Sequence, residues 1–353
     1  MSFWGAYVPY LENTALFISQ PFERNIPTDT LGLIYTWIYQ QDTACNEVCQ
    51  FLYDYFGNPP QKPRFSIPIH HLLSKTDLLL LARDNSTRIV GCIRYHDIGV
   101  LYHNKERIYA VDCFCIHPAW RGKGVGRQLL YRLHRYANEL GIPHAVFLKE
   151  GSTVHPFVTP LYSGTYVYKR SIRPIRPITL PILSVNDAVK WLTIYQNCNP
   201  TCCIVHNPQS PNQQWYFYKK GVHSILIGVQ DTYQKMHFLE STSRFPFGES
   251  LGRVSGAWAE PPQSAQKTHH TLHVERSMGW VTAWLESPLL TDKEREEASD
   301  KLMESTTFDY LWMNQVWCNG NTRERGWQQD GMFHWYTYQW SYIGLGQSYC
   351  LMH

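Results

Sequence analysis

The sequence predicts a mixed α/β protein with two domains of similar architecture. Its 353 residues are about two domains' worth of chain at roughly 150 residues per domain. Each half shows the same coarse order of predicted elements, which is a helix, strands, a helix and a strand. Three prolines, Pro174, Pro177 and Pro181, indicate a linker near 172–182. The predicted domains are therefore 1–177 and 178–353.

In the first half, some segments have the apolar spacing of a helix and others have that of a strand. Apolar residues from Val48 to Tyr55 recur at i, i+3, i+4 and i+7, which predicts a helix over Ala44–Tyr55. The D-N-S-T at 84–87 predicts a hairpin turn between the first two strands. The other predicted elements of this half are strands over 78–83, 88–95, 108–116 and 145–148, and an amphipathic helix over 125–140.

The second half repeats this pattern after the proline-marked linker. A helical periodicity covers 185–195, and an alternation of aromatic and polar residues predicts a strand over 335–342. Tryptophans within 278–304 lie in a stretch that we interpret as one helix or a pair of helices. The remaining predictions are strands over 214–218 and 224–229, and a long polar loop over 240–270.

Composition excludes several classes of protein. Apolar residues make up 44% of the chain, aromatic residues 14% and charged residues only 17%, which excludes a disordered chain. No apolar run approaches the roughly 20 residues that span a bilayer, so we expect no transmembrane segment. The N-terminus has no basic region followed by an apolar run, so no signal peptide is expected. The predicted location is the cytoplasm, which would be that of the host if the source of this compact, divergent chain is a virus.

Charge and residue spacing restrict the partners. Lys and Arg number 32 and Asp and Glu number 29, and the resulting net charge of +3 does not indicate a nucleic-acid partner. The 10 cysteines lack a paired C-x2-C spacing, and no H-E-x-x-H occurs. Adjacent histidines such as His70 and His71 do not face one way on a helix. We therefore expect no metal site.

The segment most informative about chemistry is V-D-C-F-C-I-H-P-A-W-R-G-K-G-V-G-R-Q-L-L at 111–130. A predicted strand ends near Ile116, and a glycine-containing loop leads directly into a helix. Successive N–H groups at a helix N-terminus bind anions, and Arg121, Lys123 and Arg127 add positive charge. The segment therefore predicts a site for a pyrophosphate or a similar anion. Its register differs from a dinucleotide fingerprint, and it lacks the Gly-Lys-Ser/Thr of a Walker loop.

In this context the loop Arg121-x-x-Gly124-x-Gly126 resembles motif A of the GNAT superfamily, whose Q/R-x-x-G-x-G/A loop binds the pyrophosphate of coenzyme A. The alternative is a glycine-rich turn that only begins a helix. A closer resemblance, over nearly the whole chain, is to the glycylpeptide N-tetradecanoyltransferase (N-myristoyltransferase) family. C-F-C-I-H-P-A-W-R-G-K-G at 113–124 is similar to that family's F-L-C-V-H-x-x-L-R-S-K-R, and D-G-M-F-H-W-Y-T-Y-Q-W at 330–340 is similar to D-G-N-L-Q-Y-Y-L-Y-N-W.

The resemblance implies two fused GNAT-like domains around a saddle-shaped sheet, with acyl-CoA bound by 1–177 and the peptide by 178–353. It implies transfer of a myristoyl-type acyl group from acyl-CoA to the N-terminal glycine amine of a protein. Acyl-CoA would be a co-substrate, with no permanently bound cofactor. It would lie along Phe114, Cys115 and Ile116, with its phosphates on the loop formed by Arg121, Gly122, Lys123, Gly124, Val125, Gly126 and Arg127.

The catalytic groups that the resemblance implies are mostly main-chain atoms. The N–H groups of Cys113 and Phe114 would form the oxyanion hole for the thioester carbonyl. The C-terminal carboxylate, here on His353, would be the base. Asp112 replaces the family's asparagine. We hypothesise that Asp112 holds or deprotonates the substrate ammonium, and the alternative is a strand aspartate paired with a neighbouring Lys or Arg.

Other departures from the family bear on the substrate. Leu148 stands where the family has a hydroxyl residue, and the family's acidic run after the first helix is absent from 57–62. The expected partners are acyl-CoA and a glycine-starting peptide, with no nucleic acid, and the expected state is a monomer. Two other functions stay open: a GNAT enzyme that uses acetyl-CoA, and a non-catalytic GNAT-fold structural or binding protein.

Overall fold

The structure is a computed structural model, and it describes most of the chain in separate segments. The described residues are 18–19, 31–40, 42–57, 64–101, 107–142, 145–152, 160, 162–170, 179–198, 204–206, 212–241, 271–287, 289–318, 326–338 and 340–341. Within these residues no helix is long and apolar enough to cross a membrane.

The described segments form helices and strands in a mixed order along the chain. The helices are α1 (Ala44–Tyr55), α2 (Ile69–Leu72), α3 (Val125–Glu139), α4 (Val185–Cys198) and α5 (Asp292–Ser305). The strands are β1 (Ile18–Ser19), β2 (Ile34–Ile38), β3 (Arg64–Phe65), β4 (Leu78–Arg83), β5 (Ile89–Leu101), β6 (Arg107–Ile116), β7 (Ala145–Glu150), β8 (Tyr162–Arg170), β9 (Ile182–Leu183), β10 (Ile204–His206), β11 (Gln213–Lys220), β12 (His223–Ser241), β13 (Thr271–Glu286), β14 (Tyr310–Asn314), β15 (Gln328–Tyr338) and β16 (Trp340–Ser341).

One large sheet joins the two halves of the chain. Its strand order is β2-β4-β5-β6-β7-β15-β8-β14-β13-β12-β11-β9, and most neighbours are antiparallel. Among the described strands, the parallel pairs are β6 with β7 and β13 with β14, at equivalent places in the two halves of this order. The strands β15 and β8 lie side by side at the centre, each next to strands of the other half. The predicted mixed α/β class is confirmed, and the boundary at 177/178 stays a prediction.

The helices cover both faces of this sheet. In β4, Leu80 and Ala82 pack in the cluster that contains α3, and their neighbours Leu79 and Leu81 pack in the cluster that contains α1. Successive residues of a strand point to opposite faces, so α1 and α3 lie on opposite faces. The second half repeats the arrangement, because alternate residues of β12 pack with α5 and with α4.

Several predicted elements agree with the structure. The helix α1 has the predicted bounds, and α3 ends one residue before the predicted end. The predicted hairpin at 84–87 joins β4 to β5, with the N–H of Asp84 donating to the carbonyl of Arg88 at 3.0 Å. The loop predicted over 240–270 lies outside the described residues except at its start, where β12 continues to Ser241.

The helix or helices predicted over 278–304 are wrong for the first part of that range. Residues 271–286 form the strand β13, and a helix begins only at Asp292. β13 lies between β12 and β14 and is buried on both faces along 281–285, so its apolar residues do not alternate with polar ones. The start of α5 is fixed by a capping box, in which Thr291 and Glu294 satisfy each other's backbone N–H groups.

Candidate active site

A β-bulge interrupts β6 where the predicted oxyanion hole lies. Cys92 pairs with Cys115 and Arg94 with Asp112, so the two residues Cys113 and Phe114 lie opposite the single residue Ile93. Cys113 has φ of +47°, a left-handed conformation that costs a non-glycine residue about 1–2 kcal/mol. Bulges turn main-chain groups away from the regular ladder and are frequent beside active sites. The bulge therefore makes the backbone at Cys113 and Phe114 irregular within an otherwise buried strand.

The bulge also changes which face of the sheet each β6 side chain occupies. Before it, Val111 packs in the α3 cluster, and after it Phe114 and Ile116 do so. Cys113 and Cys115 pack in the opposite cluster, with α1. Strand alternation places Asp112 on the face opposite Val111, which is therefore the same face as Cys113. The carboxylate of Asp112 thus lies beside the irregular backbone at Cys113, on the same face of the sheet as α1.

The loop after β6 is exposed and begins a helix at a glycine. A 3₁₀ turn at Pro118–Trp120 leads into residues 121–124, all of them exposed. Gly122 and Gly124 have φ of +75° and +90°, and Gly124 is the N-cap residue of α3. The first turn of α3 contains no acidic residue and contains the exposed Arg127. The exposed residues 121–124, the exposed Arg127 and the N-terminus of α3 therefore form a positive surface suited to an anion.

Two side chains of this loop are held in place by local contacts. The guanidinium Nε of Arg121 donates to the carbonyl oxygen of Ile116 at 3.0 Å, which ties the loop to the end of β6. The ammonium Nζ of Lys123 lies 5.1 Å from the centre of the Trp120 ring, within the range of a cation–π contact. The loop conformation is therefore supported by the strand before it as well as by the helix after it.

A cavity of about 410 Å³ opens on the face of the sheet that carries Asp112. Its lining comes from both halves of the chain and includes Asp112 on β6, Leu148 on β7 and Asp231 on β12. One wall is aromatic, with the rings of Tyr166 and Trp312 stacked at a centre-to-centre distance of 5.9 Å. A mostly apolar concavity with a few polar groups is the usual form of a ligand site.

Asp112 is held by a buried arginine. Both carboxylate oxygens accept from Arg94, at 2.6 Å from Nε and 2.5 Å from Nη2. Arg94 also donates from Nη1 to the carbonyl of Leu72, at the end of α2. Burial disfavours the charged arginine, but the hydrogen bonds and charge of Asp112, together with the nearby Cys113 and Asp77, outweigh that effect and raise the pKa of Arg94. Of the two roles predicted for Asp112, the geometry matches the pairing with an arginine.

A histidine–carboxylate pair that was not predicted from the sequence joins the cavity-lining His96 to the buried Asp77. The Nδ1 atom of His96 lies 3.1 Å from each carboxylate oxygen of Asp77. The side chain of Asp77 is 0% exposed and also accepts from the N–H groups of Ser74 at 2.8 Å and Asp97 at 3.0 Å. Burial alone would raise the pKa of Asp77, but His96, Arg94 and the N–H group of Ser74 together outweigh it and lower the pKa. Asp77 is therefore an ionised hydrogen-bond acceptor.

Except for His353, the predicted site residues lie close together along the chain, on β6, the loop after it and the start of α3. Residues 112–116 lie on β6 around the bulge, and 121–127 form the exposed loop and the start of α3. Of this set, Asp112 lines the cavity. His353 lies outside the described residues, and so does most of 57–62. In the part of the chain that the structure describes, no group of three or more His, Cys, Asp or Glu residues could hold a metal ion.

The comparisons with known proteins agree with the fold described above. Residues 45–162 match the Acetyltransferase (GNAT) family. Saccharomyces cerevisiae N-myristoyltransferase with bound myristoyl-CoA is similar at a TM-score of 0.64 and 10% identity, over 96% of this chain and 92% of that one. The yeast enzyme with bound myristoyl-CoA and inhibitors is similar at 0.65 and 10% identity, over 96% and 89%. No curated protein sequence matches the chain. Residues 45–162 are therefore similar to the GNAT family, and the chain as a whole has a fold similar to that of N-myristoyltransferase.

Proposed function

We propose that the chain transfers a fatty acyl group of the myristoyl type from acyl-CoA to the N-terminal glycine amine of a protein. The observation that carries the proposal is the bulge at Cys113 and Phe114, which lies between an exposed anion-binding loop and a cavity on a fold shared with N-myristoyltransferase. In this proposal the bulge would hold the thioester, the loop the phosphates of its coenzyme A, and the cavity the acceptor amine.

The acyl-CoA would lie along the end of β6. Its phosphates would contact the N–H groups at the start of α3 together with Arg121, Lys123 and Arg127, where the loop is open to solvent. The thioester carbonyl would accept hydrogen bonds from the N–H groups of Cys113 and Phe114. Such donors stabilise the negative charge that develops on the carbonyl oxygen, and removing one costs about 10²–10³-fold in rate in well-studied enzymes.

The amine would attack the thioester directly from the cavity side of β6. The thiols nearest the bulge are poor nucleophiles, because burial raises the pKa of Cys113 and raises that of Cys115 to about 12. A direct attack therefore needs no covalent intermediate on the enzyme, and catalysis would rest on positioning and on the oxyanion hole. The base in this proposal is the C-terminal carboxylate of His353, which the resemblance implies. The experiment below tests this base as well as the choice of acyl donor.

The experiment is a measurement of CoA release by the purified protein. Acetyl-, lauroyl- and myristoyl-CoA would each be offered with a glycine-starting peptide, and a peptide with an acetylated N-terminus is the control. We expect release with the long-chain donors that requires the free amine. A protein extended by one C-terminal residue should lose that activity if the terminal carboxylate is the base.

Two outcomes would contradict the proposal in different ways. Release with acetyl-CoA alone would indicate a GNAT N-acetyltransferase, which the family match over 45–162 also allows. No release with any donor, together with no binding of acyl-CoA, would indicate a non-catalytic protein with this fold.

A further inference from the structure

We propose that Cys92 is a positioning residue for the oxyanion hole, because its thiol holds the main-chain carbonyl of the bulge residue Cys113. This inference rests on the proposed acyl transfer and names the side chain that fixes one of the two oxyanion donors. The Sγ atom of Cys92 donates to the carbonyl oxygen of Cys113 at 3.2 Å. Cys92 is 0% exposed, so it would act through the backbone of Cys113 and not by contact with the substrate.

The bulge gives the carbonyl of Cys113 a need for this donor. Where two residues lie opposite one, the main-chain groups of the bulged strand lose their regular partners in the ladder. Cys113 is 3% exposed, so water does not replace such a partner, and a buried carbonyl without a donor is costly. Cys92 is the β5 residue whose pairing with Cys115 closes the bulge. Its side chain is therefore in the right place to supply the donor.

The thiol of Cys92 is in the form that donates. A cysteine donates a hydrogen bond only while its sulfur is protonated. Burial raises the pKa of Cys92 well above its usual value, and the neighbouring Cys115 and Cys113 raise it further. A backbone hydrogen bond from Cys115 acts in the opposite direction and offsets only part of this rise. The sulfur therefore carries its hydrogen at neutral pH, and the contact with the carbonyl oxygen is attractive.

The planar peptide unit passes this constraint to the N–H of Phe114. The carbonyl of Cys113 and the N–H of Phe114 belong to one trans peptide unit, in which they point in opposite directions. Because the oxygen points to Cys92 on β5, the N–H is turned away from β5, and β7 is the neighbour of β6 on that side. The cavity reaches this side, since Leu148 of β7 and Asp112 of β6 both line it. The thiol thus sets the direction of an N–H that donates to the thioester carbonyl in the proposed function.

The bulge needs such support because its backbone is strained. Cys113 has φ of +47°, and a conformation of this kind persists only where the surroundings impose it. Before the bulge, both carboxylate oxygens of Asp112 accept from Arg94. After it, Cys92 pairs with Cys115, and its thiol reaches back to the carbonyl. Arg94 holds a side chain beside the bulge, whereas Cys92 holds a main-chain atom of the bulge itself.

The test compares Cys92→Ala with Cys92→Ser in CoA release from myristoyl-CoA with a glycine-starting peptide. The two variants differ by one hydroxyl, which can donate to the carbonyl of Cys113 as the thiol does. Cys92→Ala should lower kcat about tenfold or more, because a misdirected oxyanion donor loses much of its effect. Cys92→Ser should keep kcat within about threefold of the wild type. The KM for myristoyl-CoA should stay within about threefold in both, because the loop at 121–127 is unchanged.

Two further variants separate the hydrogen bond from packing. Cys92→Val fills the space of the thiol without a donor, so its kcat should fall as in Cys92→Ala. The matched control is Cys45→Ala, in another buried thiol of the same apolar cluster, whose Sγ donates to the carbonyl of Tyr39 at 3.8 Å. This control should keep the wild-type kcat. Isothermal titration calorimetry with myristoyl-CoA alone should give a Kd within about threefold of the wild type for every variant, which checks the fold without turnover.

The outcomes distinguish this role from the proposed function. If the wild type is active, a wild-type kcat in Cys92→Ala and Cys92→Val overturns the role of Cys92 alone. The same holds if kcat falls as far in Cys92→Ser, or in Cys45→Ala, as it does in Cys92→Ala. A wild type that releases no CoA from any acyl donor overturns the proposed function and this role with it.

Discussion

The variant Arg94→Met should have a free energy of unfolding about 3 kcal/mol lower than that of the wild type. The side chain of Arg94 is 7% exposed and binds both the Asp112 carboxylate and the backbone at Leu72. Removing one partner of a buried ion pair typically costs about 3–5 kcal/mol, because the other charge stays buried without compensation. Because Asp112 is 25% exposed, water screens part of its unpaired charge. The expected loss of stability is therefore at the lower end of that range.

The measurement is urea unfolding followed by tryptophan fluorescence, with two controls. Arg135→Met removes a pair with Glu139 in which both side chains are more than half exposed, and it should change stability by less than about 0.5 kcal/mol. The double variant Arg94→Met/Asp112→Leu leaves no unpaired charge and should recover most of the loss. An Arg94→Met protein as stable as Arg135→Met would contradict the buried-pair account.

The second large effect concerns the binding of coenzyme A. Gly124 has φ of +90° and no heavy atom within 4 Å of the place where a Cβ would lie. Gly124→Val therefore meets backbone strain without a steric clash, and the loop should move from the conformation that presents the N–H groups at the start of α3. We expect the Kd for myristoyl-CoA to rise about tenfold, which corresponds to about 1.4 kcal/mol. Isothermal titration calorimetry measures it.

The control for Gly124→Val is the same substitution at the other end of the same helix. Gly141 has φ of +72° and equally open surroundings, but it follows the C-terminus of α3. Gly141→Val should cost similar stability and leave the affinity for acyl-CoA unchanged. Equal affinities in Gly124→Val and Gly141→Val would mean that the start of α3 does not hold the phosphates.

Sequence patterns predicted the elements whose signal lies within one short segment, such as an apolar periodicity or a set of turn residues. The bounds of α1 follow from its apolar periodicity, the D-N-S-T hairpin lies in the predicted place, and α3 begins at the predicted Val125. The strand β13 was missed because it is buried on both faces, so its run of apolar residues shows no alternation. Burial by neighbouring strands is a tertiary property that a single segment of sequence does not reveal.

The site was predicted only in part, for a similar reason. The loop at 121–127 is a continuous motif, and its resemblance to GNAT sequences pointed to it directly. The pairs Arg94–Asp112 and Asp77–His96 join residues 18 and 19 positions apart, and they meet only through the register of β5 against β6 and the turn before β4. The bulge at Cys113 depends equally on that register, because nothing in the residue type favours a left-handed cysteine.

The activity proposed for the chain is acylation of the α-amine of an N-terminal glycine. The most direct measurement is tandem mass spectrometry of a glycine-starting peptide that also contains an internal lysine, after incubation with the protein and myristoyl-CoA. We predict a mass increase of one myristoyl group, located on the N-terminal nitrogen. An acyl group on the lysine side chain, or an unchanged peptide in the presence of active, acyl-CoA-binding protein, would contradict the claim.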